Sequence, residues 1–310
     1  MAEKRAGLIA LVGEPNAGKS TLMNRIVGSK VSIVTHKAQT TRSRIRGIAV
    51  AGESQLVFVD TPGLFVARRR LDKAMVAAAR RGIAEADIVL LMVQAHRGLN
   101  EANALILEQL QQEPASPRLT ALAINKSDMV APGRLLEVAS EFAERMEFDR
   151  VFMISALRGS GVEDVVQWLA GNLPPGAWPY PPEQMADVPL RVLAAEITRE
   201  KLLLRLHQEI PYQLAVETES WTRGRDGAVR IEQTVIVAGK SHKKMIIGPG
   251  GSVIKQIGTE SRREIEKLLG GTAHLFLRIK VRPKWTGEPI RYERMGLSFA
   301  DTVGEAGECG

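Results

Sequence analysis

The sequence predicts an α/β fold with a mostly parallel sheet, followed by a smaller α+β domain. Three observations carry this. Residues 1–173 alternate short apolar runs with amphipathic stretches, a glycine-rich turn joins the first run to the first amphipathic stretch, and the pattern changes after a proline-rich break. Strand–helix alternation implies parallel strands covered by helices on both faces. Ligands in such sheets bind at the carboxyl ends of the strands. A chain of 310 residues suits two domains better than one core.

The apolar runs 8–12, 55–59, 88–93, 119–124 and 151–154 read as strands. The stretches 19–27, 71–81, 101–111, 134–146 and 162–169 read as helices. In the last of these Val162, Val165, Val166 and Leu169 fall on one face. Residues 173–184 hold five prolines and a glycine, which can continue neither a helix nor a central strand. The expected organisation is therefore a first domain over 1–173, a Pro-rich linker over 174–188, a second domain over 189–300 and a flexible tail over 301–310. In the second domain 190–207 reads as a helix, and 212–220 and 229–237 as strands around the turn RGRDG. A helix, a break at GPGG, a longer helix through Leu269 and a strand over 274–281 follow. The order is α-β-β-α-α-β.

Composition narrows the setting. Apolar residues are 45% and charged residues 25% of the chain, as in soluble globular proteins. The single cysteine, Cys309, stands in a Gly-rich tail, so disulfides are not expected and a reducing cytoplasm suits the chain. The first apolar run leads straight into the glycine-rich turn with no cleavage site, which argues against a signal peptide. No run approaches the ~18 apolar residues a bilayer span needs. Net charge is +7, and 14 Lys/Arg face 5 Asp/Glu between Arg223 and Lys284. That local surplus is the footprint of a polyanion partner.

Gly13-Glu14-Pro15-Asn16-Ala17-Gly18-Lys19-Ser20 fits the phosphate-loop pattern GxxxxGK[ST], after a strand and opening a helix that continues with Thr21. Glycines let backbone N–H groups close around phosphate oxygens, and the helix N-terminus adds partial positive charge. Lys19 is expected to bridge the β- and γ-phosphates, and the Ser20 hydroxyl to hold magnesium. Asp60-Thr61-Pro62-Gly63 follows the strand 55–59, where a second magnesium-side carboxylate belongs. Asp60 would act through a metal-bound water, and the Gly63 N–H would sense the γ-phosphate. Asn125-Lys126-Ser127-Asp128 ends the strand 119–124 and decides the base. Asp128 can accept from guanine N1 and N2, a donor pair adenine lacks, while the Lys126 stem lies along the ring. Ser155-Ala156-Leu157 closes the pocket, with the Ala156 N–H aimed at guanine O6. Four motifs in order, each at a strand end, identify the ligand as GTP.

The basic, hydroxyl-rich segment between Lys30 and Arg46 is expected to order on GTP binding, with Thr41, or alternatively Thr40, reaching magnesium. Lys19, Thr41, Gly63 and Asn16 are the expected catalytic set. Leu64 follows the Asp-Thr-Pro-Gly turn where signalling GTPases place a water-orienting glutamine. At this position the chain resembles translation-factor-related GTPases, and intrinsic hydrolysis should be slow. In related GTPases an asparagine placed like Asn16 helps bind a potassium ion, so potassium-stimulated hydrolysis is expected.

Gly248-Pro249-Gly250-Gly251 has the GxxG spacing of a KH-domain loop, which brings backbone close to about four nucleotides of single-stranded RNA. Ile247 precedes it, Lys243 and Lys244 lead into it after Lys240, and Lys255 follows. Pro249 and Gly250 depart from the usual turn by removing a donor and a charge, which shifts weight to the lysines. The five histidines, His36, His96, His207, His242 and His274, are scattered without metal-ligand spacing.

Together GEPNAGKST, KAQTTR, DTPG, NKSD, SAL, REKLLLRLHQEIPY and KKMIIGPGG closely resemble the Era family of bacterial ribosome-assembly GTPases across nearly the whole chain. The resemblance implies a P-loop G domain followed by a KH (type II) domain. It also implies binding to the 3′ end of 16S ribosomal RNA, association with the maturing small subunit, and action as a monomer. The implied location is cytoplasmic with some peripheral attachment to the inner membrane. Two other classes compete. A GTPase driving RNA modification would need a cofactor site or cysteine motif that the sequence does not display. A membrane-surface scaffold would use the basic region on anionic lipids.

Overall fold

The computed structural model describes residues 3–35, 45–60, 67, 70–112, 119–206 and 214–302. These form two compact units. The first runs to Asp187 and takes in the chain from Tyr292; the second is Val188–Arg291 together with 33–35.

The first unit is built as β1 (Arg5–Val12), α1 (Lys19–Val27), β2 (Ile45–Ala51), β3 (Ser54–Asp60), α2 (Arg70–Ala84), β4 (Ile88–Gln94), α3 (Glu101–Gln112), β5 (Leu119–Asn125), α4 (Pro132–Ala143), β6 (Arg150–Met153) and α5 (Val162–Asn172). The sheet order is β2-β3-β1-β4-β5-β6. β2 runs antiparallel to β3, and the other pairs are parallel. β2 is an addition to the expected strands. It is a seven-residue edge strand with Arg46 and Gly47 near its start, so its apolar alternation is weak. Its sequence cue is the two-residue turn Gly52-Glu53 that sets Ala51 opposite Ser54.

Successive strand residues point to opposite faces, and the two cores follow that rule. Ile9, Leu11, Phe58, Leu90 and Met92 pack with Leu22 and Met23 of α1 and Val165 and Leu169 of α5. Ala10, Val12, Val89, Leu91 and Val93 pack on the other face with Ile83 of α2, Ile106 and Leu110 of α3, and Val138 and Phe142 of α4. Near-continuous apolar strands are what a sheet covered on both faces requires. Two register pairs set the site: Leu11 lies opposite Asp60, and Gln94 opposite Asn125. The ends of β3, β4 and β5 therefore converge beside the phosphate loop.

The Pro-rich stretch is fastened down. Pro175 bridges to Arg5 and Ala186 to Gly47. Ile48 N donates to the Met185 carbonyl at 2.9 Å. The Gln55 side chain takes both main-chain groups of Tyr180, and Trp178 Nε1 donates to the Glu53 carbonyl at 3.1 Å. Prolines carry no N–H to satisfy, so the remaining carbonyls and these two aromatic residues supply the attachment.

The second unit contains α6 (Leu190–Arg205), β7 (Leu214–Arg223), β8 (Val229–Val237), α7 (Lys240–Ile247), α8 (Ser252–Leu269) and β9 (Ala273–Val281), in the expected α-β-β-α-α-β order. β7 and β8 form an antiparallel hairpin, and β9 adds parallel to β8. Leu202, Leu206, Val235, Val237, Ile246 and Ile257 make one core cluster; Ile197, Ile231, Ile265 and Ala273 make another. Arg205–Glu260 and Lys201–Glu264 ion pairs join α6 to α8. A short helix α9 (Pro289–Arg294) follows. Beyond it the chain differs from the expected organisation: Tyr292 and Leu297 pack with Leu71, Ala74, Met75 and Ala78 of α2, and Arg81 pairs with Asp301 at 2.7 Å. Residues 303–310 of the expected tail lie outside the described residues.

Phe142 is fully buried between α4 and the sheet. Phe142→Ala is expected to destabilise the first unit by about 3–5 kcal/mol through lost burial and a residual cavity. Urea unfolding followed by circular dichroism would measure it.

Candidate active site

The phosphate loop is shaped by close approaches that only glycine permits. A Cβ on Gly13 (φ 148°) would stand 2.2 Å from the Met92 carbonyl oxygen, and one on Gly18 (φ 102°) 2.2 Å from Asn125 Nδ2. The loop is thus pressed onto the ends of β4 and β5. Asn16 takes φ 67°, a left-handed conformation that asparagine tolerates better than most residues. Gly18 caps α1 without a side-chain hydrogen bond, and no acidic residue stands in the first turn. The helix N-terminus therefore presents backbone donors and favourable partial charge to an anion.

Lys19 is buried and donates to the carbonyls of Gly13 at 2.9 Å and Glu14 at 3.0 Å. Burial pulls its ammonium down to about 8, opposed by the nearby Asp60 and Glu14 carboxylates. Ser20 Oγ donates to Asp60 Oδ2 at 2.7 Å, and Ser32 Oγ donates to the same oxygen at 2.7 Å. The Asn24 side chain holds this neighbourhood, accepting from Val31 N and Ser32 N and donating to the Ser32 carbonyl at 2.7 Å. Ser20 and Asp60 bring a hydroxyl and a carboxylate together, a hard-oxygen pair that fits magnesium, an ion that keeps waters and phosphates in its shell. Among the described residues no group of three or more His, Cys, Asp or Glu side chains forms a larger metal cluster. Thr40, Thr41, Thr61, Pro62, Gly63 and Leu64 lie outside the described residues.

At the other end, Asn125 Nδ2 donates to the Ala17 carbonyl at 2.7 Å, and Asn125 Oδ1 accepts from Ala156 N at 2.9 Å. The Ala156 N–H expected to meet guanine O6 is thus engaged by Asn125, so a base must share or replace that bond. Lys126 is left-handed (φ 63°), and its ammonium donates to Gln94 Oε1. Asp128 sits on a short 3-10 turn, 3.9 Å from Arg158 Nε. Ser155 Oγ accepts from Arg158 N at 3.1 Å, and Ser127 N donates to the Ile154 carbonyl at 3.0 Å. Arg25 of α1 donates through Nε to the Ala156 carbonyl at 2.6 Å and through its guanidinium to the Leu157 carbonyl.

The expected residues Gly13–Ser20, Asp60, Asn125, Lys126, Asp128, Ser155 and Ala156 therefore border one region at the strand ends. Sequence reasoning missed Asn24 and Ser32, whose bonds shape the chain just after α1, and Arg25, Gln94 and Arg97, whose hydrogen bonds reach elements far apart in sequence. The available cue was local: Asn24 and Arg25 fall about one turn after Ser20 on the helix that opens the phosphate loop.

In the second unit α7 ends at Gly248, whose N–H donates to the Lys244 carbonyl at 3.0 Å. Gly250 is left-handed (φ 55°, ψ 20°), a conformation costly for a longer side chain and the local reason for a glycine there. Lys244, Pro249, Gly250 and Lys255 are exposed, while Lys243, Ile247 and Gly248 are half-buried. Ile246 anchors the turn in the core.

The family described as 50S ribosome-binding GTPase matches residues 8–126, and the KH domain family matches residues 209–286. The chain is 56% identical over 300 residues to GTPase Era of Dinoroseobacter shibae, covering 97% of each chain. It is 51% identical over 297 residues to GTPase Era of Brucella suis, covering 96% of this chain and 94% of that one. It is similar to a crystal structure of Era with MgGDPNP and nucleotides 1506–1542 of 16S ribosomal RNA: TM-score 0.88, 34% identity, 94% of this chain and 99% of that one. A structure of an Aquifex aeolicus Era variant bound to GDP and AlF4– matches with TM-score 0.88, 34% identity and the same coverage.

Binding a polyphosphate around Lys19 should raise its ammonium above the value near 8 that it holds alone. The bound state then carries more protons than the free state at alkaline pH. Affinity is therefore full below pH 8 and falls by up to about tenfold per pH unit above it. Calorimetric titration at pH 7 and 9, in buffers of different ionisation enthalpy, should show weaker binding and proton uptake at pH 9.

Proposed function

This chain belongs to the Era family of GTPases, and from that premise we propose that it binds the 3′ end of 16S ribosomal RNA through its KH domain and couples nucleotide state to small-subunit maturation. The observation that carries the reading is the joint presence of both halves: the bordered nucleotide region in one unit and the lysine-flanked GxxG turn in the other. The similarity to Era bound to nucleotides 1506–1542 of 16S ribosomal RNA supports the choice of RNA.

In the proposed cycle Gly13–Lys19 cradle the phosphates, Asp128 selects guanine, and Lys126 lies along the base. Ser20 and Asp60 would hold magnesium, which supplies positive charge against the phosphates. Thr41 and Gly63 would respond to the γ-phosphate. RNA affinity then depends on which nucleotide is bound, and linkage requires RNA to change nucleotide affinity by the same factor. The proposed location is cytoplasmic with peripheral attachment to the inner membrane. It rests on the family resemblance and the basic surplus in residues 223–284. No helix among the described residues is long and apolar enough to cross a membrane.

The decisive test is filter binding of a short RNA from the 3′ end of 16S ribosomal RNA with a non-hydrolysable GTP analogue, with GDP and without nucleotide. Sequence-dependent binding favoured by the GTP state is expected. Equal binding in all three states would remove nucleotide gating while leaving both domain assignments intact.

Potassium is the proposed second cation. Asn16 lies in the phosphate loop in a left-handed conformation, and Leu64 offers no group to orient water. Hydrolysis measured at equal ionic strength should be faster in potassium than in sodium chloride, and Asn16→Ala should abolish the difference. Equal wild-type rates would exclude the ion's role.

A further inference from the structure

Glu14 places a carboxylate inside the phosphate loop, where its charge opposes an incoming polyphosphate. Yet its side chain is only 2% exposed, and both carboxylate oxygens are engaged. Oε1 accepts from Gln94 Nε2 at 2.7 Å, and Oε2 accepts from Arg97 Nη1 at 3.0 Å. Gln94 is the last residue of β4, in register with Asn125 at the end of β5. A side-chain amide offers a donor on one arm and an acceptor on the other. With the donor arm fixed by Glu14, the Gln94 carbonyl is left to Lys126, whose ammonium donates to it. The chain of contacts runs from the phosphate loop, through the tip of β4, to the lysine of the base-recognition turn.

We propose that Glu14 is a positioning residue for guanine recognition: through Gln94 it fixes the Lys126 side chain before the nucleotide arrives. Arg97 offsets the Glu14 charge, so the carboxylate can organise the pocket without facing the phosphates as a bare anion. Lysine side chains are rich in rotamers, and one ordered in advance loses less entropy on binding. Lys126 itself takes a left-handed backbone (φ 63°) while its ammonium reaches Gln94 at the end of β4. Burial lowers the Lys126 pKa; Glu14 acts against that shift and Arg97 adds to it. The inference rests on the guanine-nucleotide reading of this site.

The test measures Kd for fluorescent GDP and for a fluorescent non-hydrolysable GTP analogue. The proteins are full-length wild type, Glu14→Ala, Glu14→Gln, Gln94→Ala, Lys126→Ala and the Glu14→Ala/Lys126→Ala double variant. Glu14→Ala and Gln94→Ala should each weaken both nucleotides by a similar factor, roughly tenfold, the scale of one charge-assisted hydrogen-bond link. Glu14→Gln keeps an acceptor for Gln94 and should recover most of the loss. In the Lys126→Ala background, Glu14→Ala should cost little more, because the group it positions is gone. Unchanged or tighter binding by Glu14→Ala would overturn the proposal, since the carboxylate would then only repel phosphate. So would a loss confined to the triphosphate, a fully additive loss in the double variant, or wild-type affinity in Gln94→Ala. Wild-type protein that bound neither nucleotide would instead remove the reading of the site on which the inference rests.

Discussion

The Asn125 side chain is the contact on which the first unit's site depends. One arm donates to the Ala17 carbonyl in the phosphate loop, and the other accepts from the Ala156 N–H in the loop after β6. Three segments, 108 and 31 residues apart along the chain, are thereby held by one buried amide. The close approach of Gly18 to Asn125 Nδ2 shows how little room the arrangement leaves. An unpaired amide arm buried here would cost about 1–3 kcal/mol, so the two loops and the strand end are specified together. The parallel sheet makes this workable, because hydrogen-bonded register fixes where each strand stops. Gln94 beside Asn125 and Asp60 beside Leu11 are consequences of that register.

Around this contact the base end and the phosphate end are organised differently. At the base end the polar groups already have protein partners: Lys126 on Gln94, Ala156 N on Asn125, and the Ala156 and Leu157 carbonyls on Arg25. At the phosphate end Ser20 and Ser32 both donate to one Asp60 oxygen, and Lys19 rests on two loop carbonyls. These bonds occupy groups that a cation and phosphates would claim.

Much of the fold was legible in the sequence because a doubly covered parallel sheet writes its strands as apolar runs. The 88–93 and 119–124 runs fall within β4 and β5, whose burial is almost complete. β2 was illegible because Arg46 and Gly47 blur its apolar pattern. Gly13, Gly18 and Asn125 stood out in the sequence because close backbone approach and a two-armed buried amide restrict residue type there. Glu14, Arg25 and Gln94 carry no such restriction. Their roles exist only in contacts across the sheet ends, and spacing along the chain does not encode them.

The second unit shows the same division between what residue type dictates and what tertiary context adds. The break at Gly248 follows from local chemistry: its N–H caps α7 on the Lys244 carbonyl, and α8 starts at Ser252. What the sequence suggests as a deficit, the lack of a basic residue in the turn, has a conformational counterpart at one of its two positions. Gly250 occupies left-handed space in which a lysine or arginine would be strained, while Lys244 and Lys255 stand exposed on the adjoining helices. Helical lysines are held at fixed spacing relative to the turn, so the charge beside the glycines is set by α7 and α8 and not by the turn itself.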